Sequence, residues 1–477
     1  MLAIFSRPNH EFGKGGEKQM QELVVEQGQF TKTARAVPAM PQWLKEEILK
    51  ESEEIWRCSY EALERMSHAG QEIALETAMK DQSLAIGGKI LGAAIACALG
   101  TGYQGPGMAC SFCHKAARFV EHRVKGLVTL LGAIRLKRAY YHCPDCAKGT
   151  APLDKRLWIK GCRFSAAAFS VVCRSAACAS FRDAARLLKE LAAMTVDQKT
   201  IRLAATKKGR ELEEMTQQEI LGFWQNPKFS PRWGHTNPQR LYSLADGAMI
   251  HIRKEGWKEV KVAAVFEADI PKKRKRPQRK ETTYAATLED SQAFGKRFYV
   301  ETVKRGLPEA QEVVPIADGA HWIWNEAREH FPQEKTTEII DLYHAKEKIH
   351  AAAALVFGET GIKGKRWAYR WAKSLEKGKV NEVAAAVKRL KPKTKEAKEK
   401  TRQTAGYFRI NKRRMDYGRF KKQGYFVGSG VVEAACKNLV GQRMKGPGMR
   451  WSRGGAQAIL QLRVTHLNNR WELIWIR

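Results

Sequence analysis

The sequence has too few acidic residues to balance its basic ones. Fifty Asp+Glu stand against 84 Lys+Arg, which leaves a net charge of +34. Such a surface repels basic partners and draws polyanions, nucleic acid first and a membrane surface second. A secretory signal is also missing, because "MLAIFSRPNHEFGKGGEKQ" has too short an apolar core. Long uninterrupted apolar runs are missing too. The most apolar window, Ser83 to Gly100, carries Lys89 and several glycines and is short for a bilayer span, so it reads as a buried helix. These absences place the chain in the cytoplasm, associated with the nucleoid, with its cysteines reduced or metal-bound rather than disulfide-paired. Six of the ten cysteines (Cys58, Cys97, Cys162, Cys173, Cys178 and Cys436) have no partner at ligand spacing and read as small core residues.

The other four cysteines form two pairs. Cys110-x-x-Cys113 and Cys143-x-x-Cys146 flank "GLVTLLGAIRLKRAYYH", which alternates as a β-hairpin does. Two CxxC knuckles carried by hairpin strands predict a zinc ribbon, with four thiolates closed around one structural Zn²⁺ and no open position. His114 and His142 are spare and face solvent or DNA. Residues 1–100 precede this ribbon (101–155) as a mostly helical region. Its first forty residues are polar and glycine-rich, and the stretch from Pro41 to Gln82 has helical periodicity.

Residues 156–235 read as helical and alanine-rich. A helix, a short turn near "MTVDQ" and a basic second helix beginning "KTIRLAATKKGR" form a helix-turn-helix pattern. Lys199, Arg202, Lys207 and Lys208 on that second helix are candidate phosphate contacts.

From Gln239 the periodicity becomes that of strands. The order is three strands, a helix, a strand, a helix and a strand, an α/β core with a mixed sheet over residues 236–344. The basic run Pro271 to Lys280 interrupts it as a loop. A helical, basic tract fills 345–424, and residues 425–477 close the chain with a glycine turn that opens a helix. The motif Ala-Asp-Gly-Ala occurs twice, at Asp246 and at Asp318, each time ending an apolar run. Two carboxylates held at strand ends repel each other unless a cation sits between them, and Mg²⁺ takes such oxygen ligands. Glu433, after Gly428-Ser429-Gly430, is the expected third carboxylate; Asp341, Glu326 and Glu338 are the alternatives. Two ions about 4 Å apart suit phosphoryl transfer.

Together "LADGAMIHI", "IADGAHWIW", "DLYHAKEKI" and "GSGVVEAACKNLVGQRMKGPGMRWS" resemble the signatures of DDE transposases of bacterial insertion sequences, the ISKra group above all. The resemblance runs from about Thr101 to the C-terminus. It implies a ribonuclease-H-like core with an α-helical insertion, a catalytic triad of Asp246, Asp318 and Glu433, and two Mg²⁺ or Mn²⁺ ions. It implies accessory roles for Asp341 and His344, similar to a [C/D]-x-x-H signature. Water would open a phosphodiester at the element's end and the freed 3′-OH would attack target DNA, with no covalent protein intermediate. Double-stranded DNA is then the partner, at element ends and target, and pairing two ends calls for a dimer or more. No membrane is involved. Trp367 and Trp371 would stack bases, and Arg443, Lys445, Arg450 and Arg453 would hold phosphates. The competing readings are a non-catalytic zinc-ribbon and helix-turn-helix regulator, and a nuclease without strand transfer.

Overall fold

The computed structural model describes residues 38–66, 68, 70–159, 161–226, 238–268, 277–319 and 321–475. Residues 1–37 of the polar, glycine-rich N-terminal stretch, and the basic run up to residue 276, lie outside them. Arg279 and Lys280, at the end of that run, open a strand.

Two helices come first, α1 (Gln42–Glu64) and α2 (Gln71–Leu99). The apolar window of the second is helical, as expected. It is not buried, however: Gly88 is its only buried residue, where the helix meets the backbone of Leu131. A four-stranded antiparallel sheet follows, of β1 (Gly107–Ala109), β2 (Ala116–Thr129), β3 (Gly132–His142) and β4 (Gly149–Thr150). Its long hairpin is in register from Arg118 opposite His142 to Thr129 opposite Gly132, with one irregularity near Phe119.

Four helices then lead to the central sheet: α3 (Pro152–Arg156), α4 (Ala166–Cys178), α5 (Phe181–Ala192) and α6 (Gln198–Gln225). Ser165, Ser180 and Asp197 cap the last three by accepting backbone N–H bonds, which fixes where each begins.

The central sheet has five strands: β5 (Arg240–Ile252), β6 (Gly256–Ala268), β7 (Arg279–Thr287), β8 (Glu312–Ala317) and β9 (Ile339–Ile340). Their spatial order is β7-β6-β5-β8-β9. The first three are antiparallel, and β8 and β9 run parallel to β5. From Val262 to Ala268 every residue of β6 is buried, so both faces of that stretch are covered. Helices α7 (Ser291–Lys304) and α8 (His321–His330) connect the later strands.

Five helices follow β9: α9 (Leu342–Phe357), α10 (Ile362–Glu376), α11 (Val380–Lys388), α12 (Lys395–Ile410) and α13 (Tyr417–Lys422). The chain returns to the sheet with α14 (Gly430–Ala435), a π-helical turn (Cys436–Gly441), α15 (Gln442–Met444) and α16 (Arg453–Leu467). Helix α16 packs against α6 at Gly209, where any side chain would meet the carbonyl of Ala458 at 2.2 Å. The fold is therefore mixed α/β, with helices around two sheets, and one continuous core joins the central sheet to α4–α6, the insertion helices and α16.

Candidate functional site

Asp246 and Asp318 come together because β5 and β8 are parallel and in register. Leu244 pairs with Ile316, and each aspartate lies two residues further on. The two are not equivalent. Asp318 follows the last residue of β8. Asp246 sits inside β5, not at its end as expected, because the antiparallel pairing with β6 runs on from Asp246–Val262 to Ile252–Gly256. What ends beside Asp246 is its neighbour β8, and that leaves its edge open.

The two glycines of the repeated motif also differ. Gly319 has φ +101°, a left-handed conformation that favours glycine, and a Cβ there would lie 2.9 Å from the Tyr407 ring. That close approach lets the Tyr407 hydroxyl donate to the Asp318 carbonyl at 3.1 Å. Gly247 has no such backbone. A Cβ there would instead strike the Glu259 carboxylate at 2.2 Å.

Glu433 approaches from α14. Its Oε1 accepts from the Ser429 hydroxyl at 2.9 Å. The Ser429 amide in turn donates to Asp341 Oδ2. Asp341 is buried and caps α9, accepting from the His344 amide at 2.5 Å. Its own amide donates to the Ala317 carbonyl at 2.8 Å, and the Leu342 amide to the Val427 carbonyl at 2.9 Å. Asp341 thus joins the end of β8, the start of the helical insertion and the loop that delivers Glu433. The His344 side chain is partly exposed, with Nδ1 3.5 Å from Glu347.

The Asp246 carboxyl is held above the usual carboxylate range. Burial is the main cause, and the charges of Asp318 and Glu433 add to it. The Gly247 amide (2.7 Å) and the Cys436 thiol, whose Sγ lies 3.6 Å from Oδ2, partly offset this. Burial, with the charges of Asp246 and Glu433, pushes the Cys436 thiol up in turn. Reading Cys436 as a plain core cysteine missed this contact, although its spacing of three from Glu433 on a helix was a usable cue. Tyr407 had no cue in the sequence. Of the alternative third carboxylates, Asp341 serves as the cap just described. Glu338 is paired with Arg414 at 2.5 Å. Glu326 responds to Glu329 and Asp290, and lies 3.3 Å from His330.

The four paired cysteines do converge. Cys110 and Cys146 are 3.6 Å apart at sulfur, as are Cys113 and Cys143, and all four sulfurs lie within 4.8 Å of one another. The Cys113 and Phe112 amides lower the Cys110 thiol to about 6. Four sulfurs about 2.3 Å from one tetrahedral ion would be roughly 3.8 Å apart, so the set fits Zn²⁺. His114 and His142 are exposed and outside the cluster. Cys58, Cys97 and Cys178 are exposed rather than core residues, whereas Cys173 is buried.

The proposed DNA contacts divide. Lys199, Arg202, Lys207, Lys445 and Arg450 are exposed. Lys208 is buried, donates to the Ile474 carbonyl at 3.2 Å and lies over the Trp475 ring, so it cannot meet phosphate there. Arg443 is also buried. Its Nε donates to the Ala176 carbonyl at 2.8 Å, its guanidinium stacks on Phe181 and Trp451, and burial lowers it to about 10. Arg453 is held by Glu255 at 3.1 Å and the Leu288 carbonyl at 3.2 Å. Trp367 and Trp371 are partly buried, pack on the core and lie 6.2 Å apart. For Lys208, Arg443 and Arg453 a partner distant in sequence took up a side chain that spacing alone left free.

No curated protein matches the chain. A family model matches residues 114–472, which takes in the second half of the cysteine cluster, the central sheet and all three carboxylates. The chain belongs to the family described as uncharacterised protein family UPF0236.

Proposed function

We propose that the chain is a metal-dependent DDE transposase that binds element-end DNA, cleaves it and transfers the strand. The observation that carries this reading is the convergence of three carboxylates. Asp246 lies in β5 and Asp318 just past the end of its parallel neighbour β8, and Glu433 is close enough for its charge to raise Asp246. The sheet order, three antiparallel strands followed by two parallel ones, supports a ribonuclease-H-like core. The +34 charge supports a nucleic-acid substrate.

Asp246, Asp318 and Glu433 would hold Mg²⁺ or Mn²⁺. The chemistry such ions supply is the stabilisation of charge on the attacking and departing phosphate oxygens. The chain's own residues supply position. The strand pair fixes the two aspartates. The path from Asp341 through Ser429 sets Glu433. The exposed Lys445 and Arg450, after the glutamate, are placed to meet backbone phosphates. Cys110, Cys113, Cys143 and Cys146 would hold a structural Zn²⁺ in a ribbon, and α5–α6, with Lys199, Arg202 and Lys207 exposed, would serve as the helix-turn-helix.

The test is cleavage of labelled DNA spanning the flanking repeats of the chain's own gene, in Mg²⁺ or Mn²⁺. A nick leaving a 3′-OH at the repeat boundary is expected. Asp318→Asn should lower the rate by about 10²–10³-fold, as loss of an electrostatic catalytic group does, with DNA affinity unchanged. Full cleavage by Asp318→Asn would remove Asp318 from the site. Binding by the wild type without any cut would assign a DNA-binding regulator instead.

A further inference from the structure

The helix that carries Glu433 is not regular. It runs from α14 into the π-helical turn Cys436–Gly441 before resuming as α15. Within that turn a hydrogen bond spans five residues rather than four, from the Gln442 amide to the Lys437 carbonyl. Such turns are rare and gather at functional sites. This one begins at Cys436, the residue whose thiol meets Asp246. Cys436 lies three residues after Glu433, a spacing that puts both side chains on one helix face. Further along the turn, Leu439 and Val440 are buried in the core instead. The start of the helix is tied to Asp341 through Ser429. Something must hold its other end.

Arg463 of α16 does so, although it is only 3% exposed. Its Nε donates to the Leu439 carbonyl at 2.6 Å and its Nη2 to the Asn438 carbonyl, two successive residues of the turn. Its Nη1 donates to the Ala177 carbonyl at 2.5 Å, in the last turn of α4. Arg443, just past the π-helical turn, takes the neighbouring Ala176 carbonyl. The final carbonyls of a helix carry partial negative charge and suit cations. Among the described residues neither arginine has a carboxylate partner, and burial lowers both. Burying a guanidinium without a counter-ion is costly. An ordinary α-helix needs no such group, because its own amides meet its carbonyls. An unusual turn and an unpaired buried charge thus coincide at the stem of the helix that offers Glu433.

We propose that Arg463 is a positioning residue of the carboxylate site: by fixing the π-helical turn against α4, it sets where Glu433 and Cys436 stand relative to Asp246. Its catalytic meaning rests on the metal-dependent reading of Asp246, Asp318 and Glu433. The test compares the full-length wild type with Arg463→Met, which removes every donor. It also includes Arg463→Lys, whose compact ammonium cannot span two elements as the planar fork does. In Arg463→Met, Mn²⁺ affinity, read from the paramagnetic resonance of free Mn²⁺, should fall about 10–100-fold. The rate of DNA cleavage should fall about 10²-fold with KM unchanged. Alkylation of the half-buried Cys436 by iodoacetamide in metal-free protein, read by peptide mass spectrometry, should become several-fold faster, while the buried Cys173 stays protected. Arg463→Lys should change all three in the same direction by less. An arginine that only stabilised the fold would lower Tm and leave all three as they are, so a folded Arg463→Met with wild-type values overturns the proposal. If Arg463→Met does not fold, wild-type values in Arg463→Lys overturn it. A wild type that cuts no DNA, with Cys436 still freed by Arg463→Met, removes the catalytic reading and keeps the positioning. A wild type that cuts, with all three quantities indifferent to Arg463, does the reverse.

Discussion

The two clusters of like groups, four thiols beside the long hairpin and three carboxylates at the central sheet, are held together in different ways. The thiols lie within 4.8 Å of one another, gathered by two tight turns side by side at the open end of a single hairpin, where Arg118 pairs with His142. The carboxylates feel one another's charge, but among the described residues they do not close to that distance. Two local turns suffice to draw the thiols together, whereas carboxylates whose charges oppose one another need rigid supports from separate elements. Here those are a mid-strand position, a strand end and a helix tied down by Asp341. A closed set of four suits a structural ion and leaves nothing for substrate. An open set of three leaves coordination positions for it.

Removing one thiol should break the comparison most strongly. Cys110→Ala is expected to drop bound zinc, measured by elemental analysis, from one ion per chain to nearly none. Structural zinc is worth roughly 10–16 kcal/mol in small zinc domains, so residues 107–150 should become the first target of proteolysis while the central sheet persists. Retention of a full zinc equivalent would sink the ribbon assignment.

Removing the tie behind the carboxylates comes next. Asp341→Asn weakens a buried, charged acceptor of two amides and should cost about 2–3 kcal/mol in urea unfolding. Cleavage should fall while DNA affinity holds, because Glu433 loses its support. Lost stability with unchanged cleavage would show that Asp341 does not position Glu433.

The smallest effect is expected outside both clusters. The Glu326 carboxyl is only 8% exposed; burial, then Glu329 and Asp290, push it up to about 7. Its folded value lies above its ordinary 4.5, so the stability it lends is complete below that pH and is lost as pH rises through 7. Wild type should therefore lose on the order of 1 kcal/mol between about pH 5 and pH 8, and Glu326→Gln should not. Parallel pH profiles for the two proteins would rule this out.

Local signals in the sequence were readable. The hairpin alternation, the cysteine spacing and the change to strand periodicity at Gln239 each depend on neighbours in the chain, and the strand–helix order followed from them. The adjacency of Asp246 and Asp318 was legible from the repeated motif. What long-range packing decides was not. Asp246 lies mid-strand because β6 keeps pairing past it. Arg443 turns inward to reach Ala176, 267 residues away in sequence. Cys436 faces Asp246 across 190 residues. The α2 window looked buried because composition reports how apolar a helix is, not what stands beside it.

The clasp at Asp341 also has a consequence in chain entropy. It brings Leu342 to Val427 and Asp341 to Ser429, so the five insertion helices form one loop closed at its base. Doubling the length of a flexible closed loop costs only about 0.6 kcal/mol. Residues can therefore be added to the loops between α9 and α13 at little thermodynamic cost as long as the clasp is kept, whereas the helices themselves are packed into the core.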